Sequence, residues 1–147
     1  MWCRELTGYK FGTLEIEKIK VDLPNGKQDS LSNAYRWLTL KGGVLTIRKG
    51  YAWNGSSVPL KQWTSWLWDS DKYCKKASLI HDALCQLMRE GILSKIHKEY
   101  ADTLYREMCI EGGMGEKEAD IRFWCLRRFP NKGIRKKDSI GRKTFKV

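Results

Sequence analysis

The residues most able to support chemistry are His81 and Asp82, an adjacent pair inside a long apolar stretch, and Asp102 further along the chain. Burying such ionisable groups is costly unless they are hydrogen bonded, so they are expected to find partners or to line a cleft. A histidine near its own pKa is the usual general acid or base, and a carboxylate beside it can orient the imidazole. Lys98 lies four residues before Asp102, on the same helical face, and can pair with it. The alternative is a buried polar network that only holds the helix hairpin against the β half of the protein.

A second chemically capable group lies in the segment 49–59, which combines two glycines, two serines and a proline with two aromatic residues. Asn54 precedes a glycine and can adopt positive φ. The hydroxyls of Ser56 and Ser57 can bond either backbone or a ligand. The ring of Trp53 can stack on a base or sugar. The predicted ligand contacts are therefore Trp53, Asn54, Ser56, Ser57 and Lys98.

The elements before this loop have the pattern of β-structure. Residues 13–21 alternate apolar and polar side chains, which is typical of a half-buried strand. Residues 35–40 and 44–48 form two further apolar runs, and the Lys-Gly-Gly between them predicts a tight hairpin turn.

After the loop, the apolar spacing changes to that of helices. Helical periodicity covers about residues 72–90, 95–111 and 116–129. Gly91 and Pro130 end the first and the last of these helices. If the first two helices form an antiparallel hairpin, their midpoints face each other and four polar residues meet: His81, Asp82, Lys98 and Asp102.

The chain is therefore expected to have an α+β fold, in which an N-terminal antiparallel sheet of hairpins, about residues 10–60, packs against a bundle of about three helices. Residues 1–130 are predicted to form a single domain, followed by a basic arm at 131–147. The last 22 residues contain nine Lys or Arg and one Asp, so they contribute +8 to the net charge of +11. Such a tail can bind nucleic acid or another polyanion, or simply remain solvated.

Several classes of site are disfavoured by what the sequence contains. The five cysteines are an odd number without a Cys-x-x-Cys pair, which argues against a disulfide framework and a structural zinc site. His97 is the one further histidine and lies off the Asp102 face, so we assign no metal, although a single ion at His81, Asp82 and Asp102 stays open. No apolar run is long enough to cross a membrane, and no signal-like segment opens the chain, so a cytosolic protein is expected.

Three segments together resemble a known family. Residues 50–59 have the sequence GYAWNGSSVP, residues 77–82 have ASLIHD and residues 98–102 have KEYAD. Their order and spacing are similar to those of the small phage and prophage proteins grouped as domain of unknown function 1353. That family combines an Asp-Gly loop closing in Ser-Ile-Pro or Ser-Val-Pro with an Ala-x-x-x-His-Asp helix and an Arg-x-x-x-Asp helix. The resemblance covers roughly residues 35–129.

The resemblance implies phage or prophage origin and expression inside a bacterial host, but it implies no established reaction. It also implies that the motif positions form one functional site. Two positions depart from the pattern: Asn54 stands where aspartate is common, and Lys98 where arginine is usual. The first departure puts in doubt any role that needs a loop carboxylate. The implied site comprises Asn54, Ser57, His81, Asp82 and Asp102.

The leading interpretation is a small hydrolase of the host cytoplasm that acts on a phosphate-containing ligand, such as a nucleotide or cyclic-nucleotide defence signal. His81 is expected to be the general acid or base, oriented by Asp82 or Asp102. Ser57 and Lys98 are expected to contact the phosphate. A positive protein concentrates such anionic ligands.

Two other interpretations stay open. One is a non-catalytic nucleotide- or nucleic-acid-binding inhibitor or sponge, which binds without forming product and whose basic tail is the contact for nucleic acid. The other is a peptidoglycan-directed lysis or virion protein. The sequence specifies neither a cofactor nor an oligomeric state.

Overall fold

The computed structural model describes residues 2–5, 11–23, 33–35, 37–53, 71–131 and 134. In these residues the order of elements is strands first and helices last, which confirms the predicted α+β fold. The strands are β1 (Cys3–Glu5), β2 (Phe11–Thr13), β3 (Glu17–Lys20), β4 (Asn33–Tyr35), β5 (Leu38–Lys41), β6 (Val44–Ile47) and β7 (Ala52–Trp53). The helices are α1 (Asp71–Arg89), α2 (Lys98–Glu111) and α3 (Glu116–Arg128), with a 3-10 turn (Lys95–His97) before α2.

The described strands form two small antiparallel sheets rather than the one sheet expected. One sheet has the order β1-β2-β7 and the other has the order β3-β6-β5-β4. The predicted hairpin is confirmed: β5 pairs with β6, Leu38 lies opposite Ile47, and Gly42 and Gly43 turn the chain with φ of 57° and 72°. Both glycines need positive φ, which a residue with a Cβ adopts at a cost.

The predicted continuous strand over residues 13–21 is wrong, because its two ends belong to different sheets. Thr13 ends β2, and its hydroxyl donates to the backbone oxygen of Arg48 at 3.0 Å and accepts from the backbone N–H of Tyr51 at 2.9 Å. Glu17 then starts β3 opposite Ile47 of β6. The predicted strand 35–40 is likewise divided, because Tyr35 belongs to β4 and β5 begins at Leu38. The alternation itself slips near this break, because Glu17 and Lys18 are two consecutive polar residues and the apolar positions shift from 14 and 16 to 19 and 21.

The main core lies between the four-stranded sheet and α1. Alternate residues of β5 and β6 face inward and are at most 1% exposed, and the inward face of α1 is equally buried. Each fully buried side chain of this size contributes on the order of 2 kcal/mol of hydrophobic stabilisation. The residues that meet in this layer include Leu38, Leu40, Leu45, Ile47, Leu79, Leu84 and Leu87.

The helix hairpin is formed as predicted. Gly91 follows α1 with φ of 74°, and its N–H donates to the carbonyl of Met88 at 3.1 Å. The chain then reverses, and Ser94 accepts a hydrogen bond from the N–H of Ile96 at the start of the 3-10 turn. The first three residues of the predicted second helix, Lys95–His97, thus form a tighter 3-10 turn, and α2 itself begins at Lys98. This hairpin sets α1 against α2 along most of their length.

The structure also shows the state of the cysteines and the position of the chain after α3. All five cysteines lie among the described residues, and all are buried and free. Ile134 is 2% exposed and packs in the main core, so the chain stays attached to the domain past the predicted boundary at residue 130. The remainder of the predicted arm, 132–133 and 135–147, lies outside the described residues. None of the helices in the described ranges is long and apolar enough to span a membrane.

Candidate functional site

The α1–α2 hairpin brings His81 and Asp102 into direct contact. His81 Nε2 lies 2.7 Å from Asp102 Oδ1, and the Asp102 side chain is completely buried. Lys98 lies one helical turn before Asp102 and donates from Nζ to both carboxylate oxygens, at 2.6 and 2.8 Å. The predicted pairing of Lys98 with Asp102 is therefore confirmed. A carboxylate at this depth is retained because charged donors surround it.

A third donor, which the sequence did not suggest, comes from α3. Arg127 donates from its Nη1 atom to Asp102 Oδ2 at 2.9 Å. The sequence pattern grouped Arg127 with the basic tail, because it begins the run of positive residues at the end of the chain. Its position eight residues after the buried Ala119 is the signal that places it on the inward side of α3. Asp102 thus joins all three helices, and we refer to His81, Lys98, Asp102 and Arg127 as the Asp102 cluster.

The electrostatics of the cluster fix its protonation state at neutral pH. Burial by itself raises the pKa of Asp102, but hydrogen bonds and charge from His81 and Lys98 outweigh it and hold that pKa below its ordinary value. Burial lowers the pKa of His81, but Cys85 and the hydrogen bond to Asp102 raise it to about 9. At neutral pH Asp102 is therefore a carboxylate and His81 is a protonated imidazole.

Cys85 lies one helical turn after His81, and the two residues form a close contact. Its Sγ atom is 3.8 Å from Nδ1 and 3.9 Å from Nε2 of the imidazole. Nearly equal distances to the two nitrogens place the sulfur away from the in-plane direction of either one. A nucleophilic thiol activated by a histidine points along one nitrogen, whereas the Cys85 thiol is directed at neither ring nitrogen in particular. The edge of Tyr105 lies near the same imidazole, with ring centroids 5.5 Å apart.

Asp82 is the next residue of α1, and it belongs to a different group of polar contacts from His81. The hydroxyl of Tyr51 donates to Gln86 Oε1 at 2.9 Å and lies 3.4 Å from Asp82 Oδ2. Burial, and then the charge of Asp82, raise the pKa of Tyr51 well above its ordinary value, so it stays a neutral donor. Adjacent helical residues point about 100° apart, which explains why His81 and Asp82 enter different networks. The start of the 49–59 segment therefore does lie against α1.

The structure places Trp53 differently from the sequence prediction. The indole is completely buried, its ring stacks on Trp2 with centroids 5.7 Å apart, and Phe11 packs at 5.4 Å. Its Nε1–H donates to Ser78 Oγ at 3.0 Å. The ring is thus part of the core between β7 and α1, because two other aromatic side chains occupy the space that a stacked base would need. The other three predicted loop contacts, Asn54, Ser56 and Ser57, lie outside the described residues.

A metal site at His81, Asp82 and Asp102 finds no geometric support in the part of the chain that the structure describes. No three His, Cys, Asp or Glu side chains there converge on one point. Both oxygens of Asp102 already accept hydrogen bonds from cationic side chains. A metal ion would have to displace at least one of these donors.

Two of the four side chains of the Asp102 cluster are open to solvent. The side chains of Asp102 and Lys98 are 0% and 6% exposed, whereas those of His81 and Arg127 are 15% and 30% exposed. The cluster therefore presents an imidazole and a guanidinium to the outside, supported from behind by a buried carboxylate and ammonium. Such an arrangement can bind an anion and transfer a proton to it.

Comparison with known proteins gives one match. A family described as "Protein of unknown function (DUF1353)" matches residues 30–126. The match includes His81, Lys98 and Asp102, and it ends one residue before Arg127. No curated protein and no solved structure matches the chain significantly.

Proposed function

The chain belongs to the DUF1353 family, whose function is unknown, and from the site we propose that it is a small hydrolase acting on a phosphate-containing ligand. The observation that carries this proposal is the His81–Asp102 hydrogen bond of 2.7 Å, in which a buried carboxylate accepts from a histidine that is partly open to solvent. A histidine oriented from behind by a carboxylate is the arrangement used for general acid–base catalysis.

His81 acts as the acid in this proposal. Its pKa of about 9 keeps the imidazole protonated at neutral pH, so it can give a proton to the leaving oxygen of a phosphate ester or anhydride. Asp102 holds Nε2, which leaves Nδ1 as the nitrogen that exchanges a proton with the ligand. Asp102 is the orienting carboxylate. Asp82, which is only partly buried, is the residue we assign to receive the proton of the attacking water.

Arg127 takes the role of phosphate contact that the sequence suggested for Lys98. Lys98 is almost fully buried and both of its short contacts are to Asp102. Arg127 is the more open cation, and a guanidinium has five N–H donors, of which Asp102 needs one. Arginine also matches the geometry of a phosphate with paired hydrogen bonds. The Asp102 contact holds the guanidinium in place before the ligand arrives.

This proposal specifies only that the ligand contains a phosphate group. The support for a base-stacking Trp53 is lost, so a nucleotide or cyclic nucleotide is one member of the class rather than its definition. We further propose the cytoplasm of a bacterial host as the compartment, as the phage-like motif pattern implies. The non-catalytic alternative, an anion-binding sponge, is favoured by the same positive charge if turnover is absent.

The test is incubation of the protein with a panel of nucleotides, cyclic nucleotides and dinucleotides, with products separated by chromatography. We expect product from at least one of these compounds. The variant His81→Gln is expected to lower kcat by about 100-fold or more, because general acid catalysis typically contributes that much. The matched control is His97→Gln, which changes the other histidine of the chain, buried outside the cluster.

A second pair of variants tests the phosphate contact. Arg127→Gln is expected to raise KM or weaken ligand binding about tenfold, whereas Arg106→Gln, which changes a partly exposed arginine of α2, is expected to leave both unchanged. Binding without product in the wild type would favour the sponge. Equal kcat values for the wild type and for His81→Gln, with both folded by circular dichroism, would contradict the catalytic role.

A further inference from the structure

The outer face of α3 carries an exposed stripe with an unusual composition. Lys117, Ile121, Trp124 and Arg128 follow one another at spacings of three or four residues, so they lie on one side of the helix. All four are exposed, and Trp124 and Ile121 are 57% and 39% exposed. We call these four residues the α3 stripe. Arg127 projects from a different side of the same helix, into the Asp102 cluster.

Trp124 is the central feature of the stripe. A tryptophan is normally buried on at least most of its area, because its indole contributes a large hydrophobic stabilisation there. Here the indole is left open, and the Arg128 guanidinium lies over the ring at 5.5 Å from its centroid. An arginine beside an accessible aromatic ring is the combination that recognises a base and its phosphate together.

The charges around the stripe are arranged to favour an anion. The acidic neighbours Asp120 and Glu116 are both within ion-pair distance of Arg106 on α2, at 2.5 and 3.5 Å. Arg106 offsets one of these two negative charges, and Lys117 and Arg128 of the stripe add two positive charges on α3. Seven further basic residues follow α3 in the sequence: Lys132, Arg135, Lys136, Lys137, Arg142, Lys143 and Lys146.

We propose that the α3 stripe binds single-stranded nucleic acid, with Trp124 stacked on an unpaired base and with Lys117 and Arg128 contacting the adjacent phosphates. A single strand is the partner that fits, because the flat faces of its bases are accessible whereas those of a duplex are already stacked. This surface is separate from the Asp102 cluster, and its occupation does not depend on hydrolysis of a small ligand.

The experiment uses the full chain and a fluorescein-labelled oligothymidine of about 15 nucleotides, with binding followed by fluorescence anisotropy between about 50 and 200 mM salt. We expect Trp124→Ala to weaken binding about tenfold, within the range of base–aromatic stacking, and Trp124→Phe to retain most of the affinity. Lys117→Gln and Arg128→Gln should each lower the slope of log K against log salt by about 0.7, as expected for one lost phosphate contact to a single strand.

The matched controls are Ile96→Ala and Lys95→Gln, which remove an exposed apolar and an exposed basic side chain from the turn before α2. Both are expected to bind like the wild type. Three results would overturn the proposal: no binding by the wild type at the lowest salt, a Trp124→Ala variant that binds like the wild type, or a duplex of the same length bound at least as tightly. If Trp124→Ala bound like the wild type, the basic sequence after α3 would be the contact instead of the stripe. If the duplex bound at least as tightly, the surface would contact only phosphates and not bases.

Discussion

Two arginines of α3 contact α2, and they do so in contrasting ways. Arg127 donates to the buried carboxylate of Asp102 at 2.9 Å, whereas Arg122 donates to the phenol oxygen of Tyr105 at 3.1 Å. Arg127 is 30% exposed and Arg122 only 4%. The first contact joins opposite full charges beside a titratable histidine, and the second places a guanidinium on a neutral group inside a closed cluster.

This difference in exposure and charge distinguishes a candidate functional site from a contact that only stabilises the fold. Both contacts hold α3 against α2, so an arginine bridging two helices is not in itself a sign of function. What distinguishes the Asp102 cluster is a histidine with a shifted pKa that remains partly open to solvent. Perturbed ionisable groups that a ligand can reach are the ones that serve chemistry. The Arg122–Tyr105 contact has no such opening, and we expect it to serve stability alone.

The largest expected effect comes from breaking the Asp102 cluster at its centre. Asp102→Asn leaves Lys98 and Arg127 without their carboxylate, and an uncompensated buried charge costs about 3–5 kcal/mol of the free energy of unfolding. The measurement is urea denaturation at neutral pH. The double variant Lys98→Met, Asp102→Asn should recover a substantial part of the loss, because the buried ammonium is then also gone. Loss of less than about 1 kcal/mol in the single variant would mean that the cluster is not a buried charge network.

The second prediction concerns pH, which should affect the Asp102 cluster through His81. The pKa of His81 in the folded protein is about 9, above its ordinary value of 6.5. The proton therefore binds more tightly to the folded state. The resulting stabilisation is complete below pH 6.5 and is lost as the pH rises through 9, by up to about 3 kcal/mol.

Urea denaturation at several pH values between 6 and 10 measures this loss. The His81→Gln variant lacks the group and should show a smaller decline, so the difference between the two curves isolates the histidine. The activity of the wild type should fall over the same alkaline range, because the proposed acid is then deprotonated. If the free energy of unfolding declined equally with pH in the wild type and in His81→Gln, the raised pKa would not belong to His81.

The smallest of the three effects is expected at the Arg122–Tyr105 contact. Arg122→Met keeps most of the side-chain volume but removes the donor to Tyr105, which should cost about 1–2 kcal/mol of the free energy of unfolding. Ligand turnover should remain that of the wild type, since Arg122 does not reach the Asp102 cluster. A loss of turnover in a folded Arg122→Met protein would show that the two contacts are not independent.

Among the described residues, the sequence predicted the contacts between the helices better than it predicted the position of Trp53. Lys98 and Asp102 share a helical face through local spacing, and His81 meets them because a short connection forces α1 and α2 to lie antiparallel. The contact of Arg127 with Asp102 was not predicted because Arg127 lies in a run of basic residues, and the contact of Cys85 with His81 was not predicted because Cys85 lies in an apolar pattern. Trp53 was misassigned because an aromatic residue in a glycine-rich segment has the same sequence signature whether it is exposed or buried.

By itself, the sequence determined the order of strands and helices, the β5–β6 hairpin, the helix hairpin and the pairing of Lys98 with Asp102. These depend on interactions between residues close along the chain, where periodicity, turn residues and helical spacing act directly. Only the tertiary structure decided that the strands divide into two sheets, that Trp53 stacks on Trp2, and that Arg127 completes the environment of Asp102. These contacts join distant parts of the chain, and their geometry follows from how the packed layers fit together.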